Sequence, residues 1–149
     1  MEQLTTYRAK GKEIGLVFLF KYDLNGNLKL FEISEGELNA KQMKWLFAMG
    51  NFPACESIMR SIWMIDKGYK AKFEIEKSPA NLTFEALWNL YNYKESRKDA
   101  EKSFSKLKEA DIIKCFIQVP KYKKKIASTG IAQALLATWI NKQRYNDEY

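Results

Sequence analysis

The segment Lys121-Tyr122-Lys123-Lys124-Lys125 sets four ammonium groups around one phenol ring with no acid among them. Lysines clustered in this way neutralise phosphates without reading a base sequence, and the affinity they confer falls with salt. An aromatic ring beside them can stack on an unpaired base. A second group lies upstream, where Tyr91, Tyr93, Lys94, Arg97 and Lys98 follow one another closely. Lys94, Arg97, Lys98, Lys121, Lys123, Lys124 and Lys125 are the candidates for phosphate contact, and Tyr93 and Tyr122 the candidates for stacking. The competing readings of Lys121 to Lys125 are a solvated loop or a contact with an acidic protein. Lys102, Lys106 and Lys108 alternate with Glu101 and Glu109 and read as a solvated helix face.

Catalytic chemistry has little to work with. The chain has 149 residues and no His, which removes Ser-His-Asp triads, Cys-His pairs and His-ligated zinc. No phosphate-binding glycine loop, dinucleotide fingerprint or nucleophile elbow occurs. Glu35 with Glu37 and Glu74 with Glu76 are carboxylate pairs, but each reads as a solvated strand face or loop. The two cysteines, Cys55 and Cys115, form no CxxC motif and read as buried free thiols. No catalytic residue, metal ligand or cofactor is therefore expected, and the chain reads as a non-enzyme. The N-terminal residues from Met1 to Thr6 lack the basic-then-apolar pattern of a signal peptide. The longest apolar run, Ile14 to Phe20, falls far short of the ~20 residues of a membrane span. The expectation is a protein of the bacterial cytoplasm with no membrane partner.

The elements that must position these residues divide near residue 80. Residues 1–80 read as a small α+β region. Ile14 to Phe20 and Leu28 to Ile33 flank the turn residues Asp23-Leu24-Asn25-Gly26-Asn27 and predict a β-hairpin. Asn39 caps a helix running to Gly50 with Met43, Leu46 and Phe47 on one stripe. Pro53 opens another helix, Ala54 to about Asp66, with Ile58, Ile62 and Ile65 as its apolar positions. Lys70 to Lys77 alternates strictly and predicts an edge or solvated strand.

Residues 81–149 read as all helical. Thr83 caps a helix carrying Phe84, Leu87, Trp88 and Tyr91. Ser96 caps a second with Ala100, Phe104 and Leu107. Asp111 caps a third, Ile112 to about Val119, which Pro120 closes. The lysine-rich run is then a connector, and Ser128-Thr129-Gly130 precede a last helix, Ile131 to about Gln143. Phe84, Leu87, Trp88, Tyr91, Phe104, Leu107 and Trp139 supply the apolar bulk of a small helical core, with Trp139 pinning the last helix to the first. Charge is uneven. Residues 1–80 hold 12 basic and 10 acidic side chains, a balance of +2, and residues 81–149 hold 13 and 8, a balance of +5; together these make the +7 of the chain.

Residues 84–148 resemble the C-terminal module of phage and prophage replication proteins, the replisome organisers and helicase-loader-like proteins. The resemblance rests on Phe84-x-x-x-Trp88-x-x-Tyr91, then Lys94, Arg97 and Lys98, then Ala100, Phe104 and Lys106-Leu107. It continues through Val119-Pro120-Lys121-Tyr122 and closes with Ala137-Thr138-Trp139-Ile140 and Arg144-Tyr145-Asn146-Asp147-Glu148. Leu136 stands where the family usually has Pro, and Tyr145 where it usually has Trp. The resemblance implies a DNA-replication accessory protein whose partners are single-stranded or branched DNA, a replicative helicase, or both. The winged-helix domain that often precedes the module does not map onto residues 1–80. A protein–protein adaptor or host-takeover factor that meets an acidic host protein is the alternative. In that case the Lys70–Lys77 strand would add to a partner's sheet, or to a second copy in a homo-oligomer.

Overall fold

The computed structural model describes residues 3–149. Met1 and Glu2, where the reading of a leaderless N-terminus begins, lie outside the described residues. The fold is α+β, with an antiparallel sheet first and helices after it. The chain divides into two compact units, one through Ala80 and one from Asn81 to Tyr149.

The first unit is built on four antiparallel strands: β1 (Thr5–Gly11), β2 (Val17–Tyr22), β3 (Leu28–Glu35) and β4 (Phe73–Ser78), in the order β3-β2-β1-β4. The hairpin is β2 with β3. Asp23 organises its turn, accepting from the Asn25 and Asn27 amides at 2.9 Å each, while Gly26 takes the positive φ of 84° that the turn requires. Alternation along β1 buries Thr5, Tyr7 and Ala9, and Tyr7 and Ala9 join Phe18, Phe20, Tyr22 and Phe73 in the core. On the other face the register sets Arg8 opposite Glu76 and Lys10 opposite Glu74, pairs of opposite charge. The polar composition of Thr5–Gly11 hides a strand that is central, paired on both sides.

Two helical segments supply Leu46, Met59 and Trp63 to the same core. The first is α1 (Ala40–Met43), extended by a wide π turn, Lys44–Ala48. Asn39 caps it, with Gln42 completing a capping box. The second is α2 (Glu56–Ile58), extended by another π turn, Met59–Trp63. The π turns alter which residues face inward. On the first segment Leu46 is buried but Phe47 is 55% exposed and Met43 also faces out; on the second Met59 and Trp63 are buried while Ile65 is 65% exposed. The stripes expected from regular helical spacing are corrected accordingly. The strand expected over Lys70 to Lys77 is shorter. Asp66 accepts from the Gly68 amide and opens α3 (Lys67–Lys72), so the strand begins at Phe73. It does lie at a sheet edge.

The second unit contains α4 (Phe84–Tyr91), α5 (Arg97–Ser105), α6 (Glu109–Thr129), α7 (Leu136–Asn141) and a 3-10 turn, Arg144–Asn146. The Thr83 hydroxyl caps α4 by accepting from the Ala86 amide. Ser96 precedes α5 in a left-handed conformation and makes no side-chain cap.

The largest correction concerns α6. Pro120 lies inside this 21-residue helix instead of ending it. Val119 and Tyr122 flank it and are both buried, so packing on either side carries the helix past the missing N–H. Lys108 occupies the cap position, and Asp111 sits in the first turn, where a carboxylate meets the positive end of the helix dipole. The last helix is shorter than its sequence pattern, because the backbone before it is used elsewhere. The Ala134 carbonyl accepts from the Tyr91 hydroxyl, and the Ala134 amide donates to the Tyr122 hydroxyl at 2.9 Å.

Candidate functional site

Helix α6 carries the basic run. In a continuous helix Lys121, Lys124 and Lys125, spaced i, i+3 and i+4, share one face. All three are exposed. The lysine-rich connector expected from the sequence is thus a rigid helical display of three ammonium groups. Lys114 and Gln118 extend the same row toward the helix start at steps of three and four residues. Lys114, exposed, donates to the Asn146 side chain at 3.1 Å and lies 3.9 Å from Asp111. The sequence reading missed it, because a helix ended at Pro120 separates Lys114 from Lys121. Treating residues 109–129 as one helix is the signal that would have found it.

Tyr122 is not available for stacking on a base. It is 5% exposed and its ring stacks on Tyr91 with an interplanar angle of 7°. Trp139 and Tyr149 approach it from other sides, at centroid distances of 5.9 and 5.6 Å. In a continuous helix Tyr122 falls about 100° round from Lys121, on the side of buried Cys115 and Val119, i−7 and i−3, and away from the exposed face of Lys121, Lys124 and Lys125, which the connector reading could not reveal. Tyr93 is half-buried in the loop after α4.

The remaining cations have differing duties. Lys123 is half-buried and donates to the Leu90 carbonyl at 3.0 Å, capping the C-terminal end of α4. Arg97 bonds Glu101 at 3.0 Å and also bonds Glu85, and its guanidinium lies 5.5 Å over the Phe84 ring and 5.8 Å over Trp88. These contacts join α5 to α4 and occupy the group that phosphate would need; its bonds to Glu85 and Glu101 hold its pKa above the ordinary value. Lys94 is exposed and donates to the Asn89 side chain at 2.8 Å. Lys98 is exposed on α5. The structure therefore leaves Lys94, Lys98, Lys121, Lys124 and Lys125 at the surface and gives Arg97 and Lys123 work within the fold.

The core beneath is aromatic. Leu87, Trp88, Tyr91 and Trp139 are buried, while Phe84, Phe104 and Leu107 are half-buried. Phe84 packs between Trp88 and Phe104, with ring centroids 5.8 and 5.6 Å away. Trp139 on α7 meets Tyr91 on α4 and Tyr145 beyond, each at 6.1 Å. Burial, with the neighbouring Tyr122, pushes the Tyr91 phenol well above its ordinary pKa.

The C-terminal segment lies along α6. Tyr145 is buried, Gln118 donates to the Asp147 carbonyl at 2.9 Å, and the Lys125 ammonium sits 5.6 Å over the Tyr149 ring. Residues 144–149 thus pack on the helix that bears the lysines and are not a free docking tail. Among the described residues, no group of three or more Cys, Asp and Glu side chains could hold a metal ion, and no helix is long and apolar enough to cross a membrane. Cys115 is buried in α6, but Cys55 is half-exposed before α2, so the expectation of two buried thiols holds for one of them.

A family model described as the Legionella vir region protein LvrA C-terminal domain matches residues 79–143. The match spans most of the segment whose motifs resemble the phage replication module, and it identifies that segment as similar to a C-terminal domain. Nothing in the match connects it to phage replication. No curated protein and no solved structure matches the chain.

Proposed function

We propose that the second unit is a non-enzymatic polyanion-binding module that serves DNA replication in a phage or mobile element. Its ligand is single-stranded or branched DNA, met alone or together with a replicative helicase. The observation that supports this reading is the single exposed face of α6 bearing Lys121, Lys124 and Lys125, in a unit with a charge balance of +5. Lys94 and Lys98, exposed at and after the α4–α5 loop, add to the same class of contact, and Tyr93 beside Lys94 is the remaining ring for base stacking. Contacts of this kind set affinity through counterion release and read no base sequence. The replication role rests on the motif resemblance of residues 84–148, and the matched LvrA C-terminal domain family covers most of the same segment.

Filter binding of a labelled single-stranded oligonucleotide at low and at physiological salt tests the reading. Binding that is tight at low salt and weakens steeply with salt is the expected result. Absence of binding to single-stranded, double-stranded and branched DNA at low salt would remove the DNA reading.

The adaptor reading draws on a different observation, the position of β4 at one end of the sheet order. Such an edge can accept a partner's strand. A host protein retained on the full chain after nuclease treatment, and lost when a proline replaces Ile75 in β4, would favour the adaptor.

A further inference from the structure

A cavity of about 290 Å³ opens in the first unit, at one end of the sheet. Its walls are apolar: Leu16, Phe18 and Phe73 come from the sheet and the chain entering it, and Leu38, Trp45 and Leu46 from the α1 segment and its approach. Tight local geometry brings these walls together. Gly36 has a φ of 82°, and a Cβ there would collide with the Gly15 carbonyl oxygen, so the chain leaving β3 passes directly against the loop before β2. Asn51 holds the Trp45 side of the wall in place: its side-chain amide donates to the Trp45 carbonyl at 2.7 Å and its side-chain oxygen accepts from Tyr69 at 2.5 Å.

The polar groups around this cavity are few and unequal in sign. Lys41, Lys72 and Glu13 line it, with Gln42 as the neutral member. Lys72 is held 4.5 Å over the Trp45 ring, which places an ammonium beside the apolar wall. An open pocket with apolar walls and a few polar groups at its rim takes up a ligand whose apolar part displaces water from those walls. The volume is at the lower end of the range for small-ligand sites, ~300–1,000 Å³, and suits one ring or a short alkyl chain. Two ammonium groups against one carboxylate favour an anionic head over a cationic one.

We propose that the first unit binds a compact apolar anion, a single ring or short alkyl chain with one carboxylate, whose body fills the cavity beside Trp45 and whose head meets Lys41 and Lys72. The site is separate from the polyanion reading of α6 and stands or falls without it.

Titration of the full chain with octanoate, 1-octanol and octylammonium, followed by amide and indole NMR shifts, tests the site. Octanoate should give saturable shifts at Trp45, Leu46 and Phe73 and bind roughly tenfold more tightly than octylammonium. The double variant Lys41→Gln/Lys72→Gln changes two exposed side chains and should keep the fold. It should lose the preference for octanoate while 1-octanol binds as before. The proposal is overturned if none of the three probes gives saturable shifts at these residues. It is equally overturned if octylammonium binds as well as octanoate, or if the double variant keeps the anion preference.

Discussion

Cys55 and Cys115 differ sharply in environment. Burial pushes the Cys115 thiol up to about 12, whereas a hydrogen bond with the Ser57 side chain, 3.1 Å away, and the nearby backbone hold the Cys55 thiol below its ordinary value. The thiolate is the reactive form. Iodoacetamide at neutral pH should therefore label Cys55 in the folded chain and leave Cys115 unmodified until denaturant is added, as mass spectrometry of the peptides would show. Tyr91 makes a second residue-level prediction. Its phenol is buried and donates to the Ala134 carbonyl, and its pKa is raised above the ordinary 10.0. Between the ordinary value and the raised one, the folded state holds a proton that the unfolded state has lost. Stability is thus fully present below about pH 10 and falls as pH rises beyond it. Tyr91→Phe leaves the Ala134 carbonyl without that donor and should cost about 1–3 kcal/mol at neutral pH. Urea unfolding from about pH 8 to about pH 11 should also show a shallower alkaline decline in the variant than in the parent.

Helix α6 shows how an element can be misread one residue at a time. Proline usually ends a helix, because it removes a hydrogen bond and crowds the preceding turn. Here burial of Cys115, Phe116, Val119 and Tyr122 along 21 residues outweighs that local cost. Pro120→Ala should accordingly stabilise the protein by about 1–3 kcal/mol in thermal or urea unfolding, since it restores an interior helical bond. Were Pro120 a helix terminator, the substitution would bring no such gain. The elements legible in the sequence are those governed by local chemistry: the hairpin around Asp23 to Asn27, the Asn39 capping box and the Thr83 cap. What was not legible depended on tertiary partners. Strand β1 is polar and is defined by its neighbours on both sides. The π turns at Lys44–Ala48 and Met59–Trp63 move the buried face away from the regular spacing. Residues 131–135 leave the helical path because Ala134 bonds to Tyr91 and Tyr122. For the site, the identity of the basic run was plain, but its being helical, the inward turn of Tyr122 and the membership of Lys114 all followed from the continuity of α6.

On the scale of the whole molecule, the two compact units carry separate chemistry: an apolar cavity in the first and a basic helix face in the second. A chain of residues 81–149 has its own aromatic core and should fold as a helical protein by circular dichroism, with a cooperative thermal transition. It should bind single-stranded DNA with the salt dependence of the full chain. Arg97→Gln should lower the melting temperature without changing that salt dependence, because Arg97 is engaged with Glu85 and Glu101. The most direct test of the account is an anisotropy titration across a series of salt concentrations with a labelled single-stranded oligonucleotide, comparing the full chain with Lys121→Gln/Lys124→Gln/Lys125→Gln. The variant should bind more weakly at every salt concentration, and its log–log salt slope should be smaller by about 2, at roughly 0.7 for each phosphate that a lysine no longer neutralises. Equal affinity and equal slope in the two proteins would contradict the assignment of this helix face to DNA.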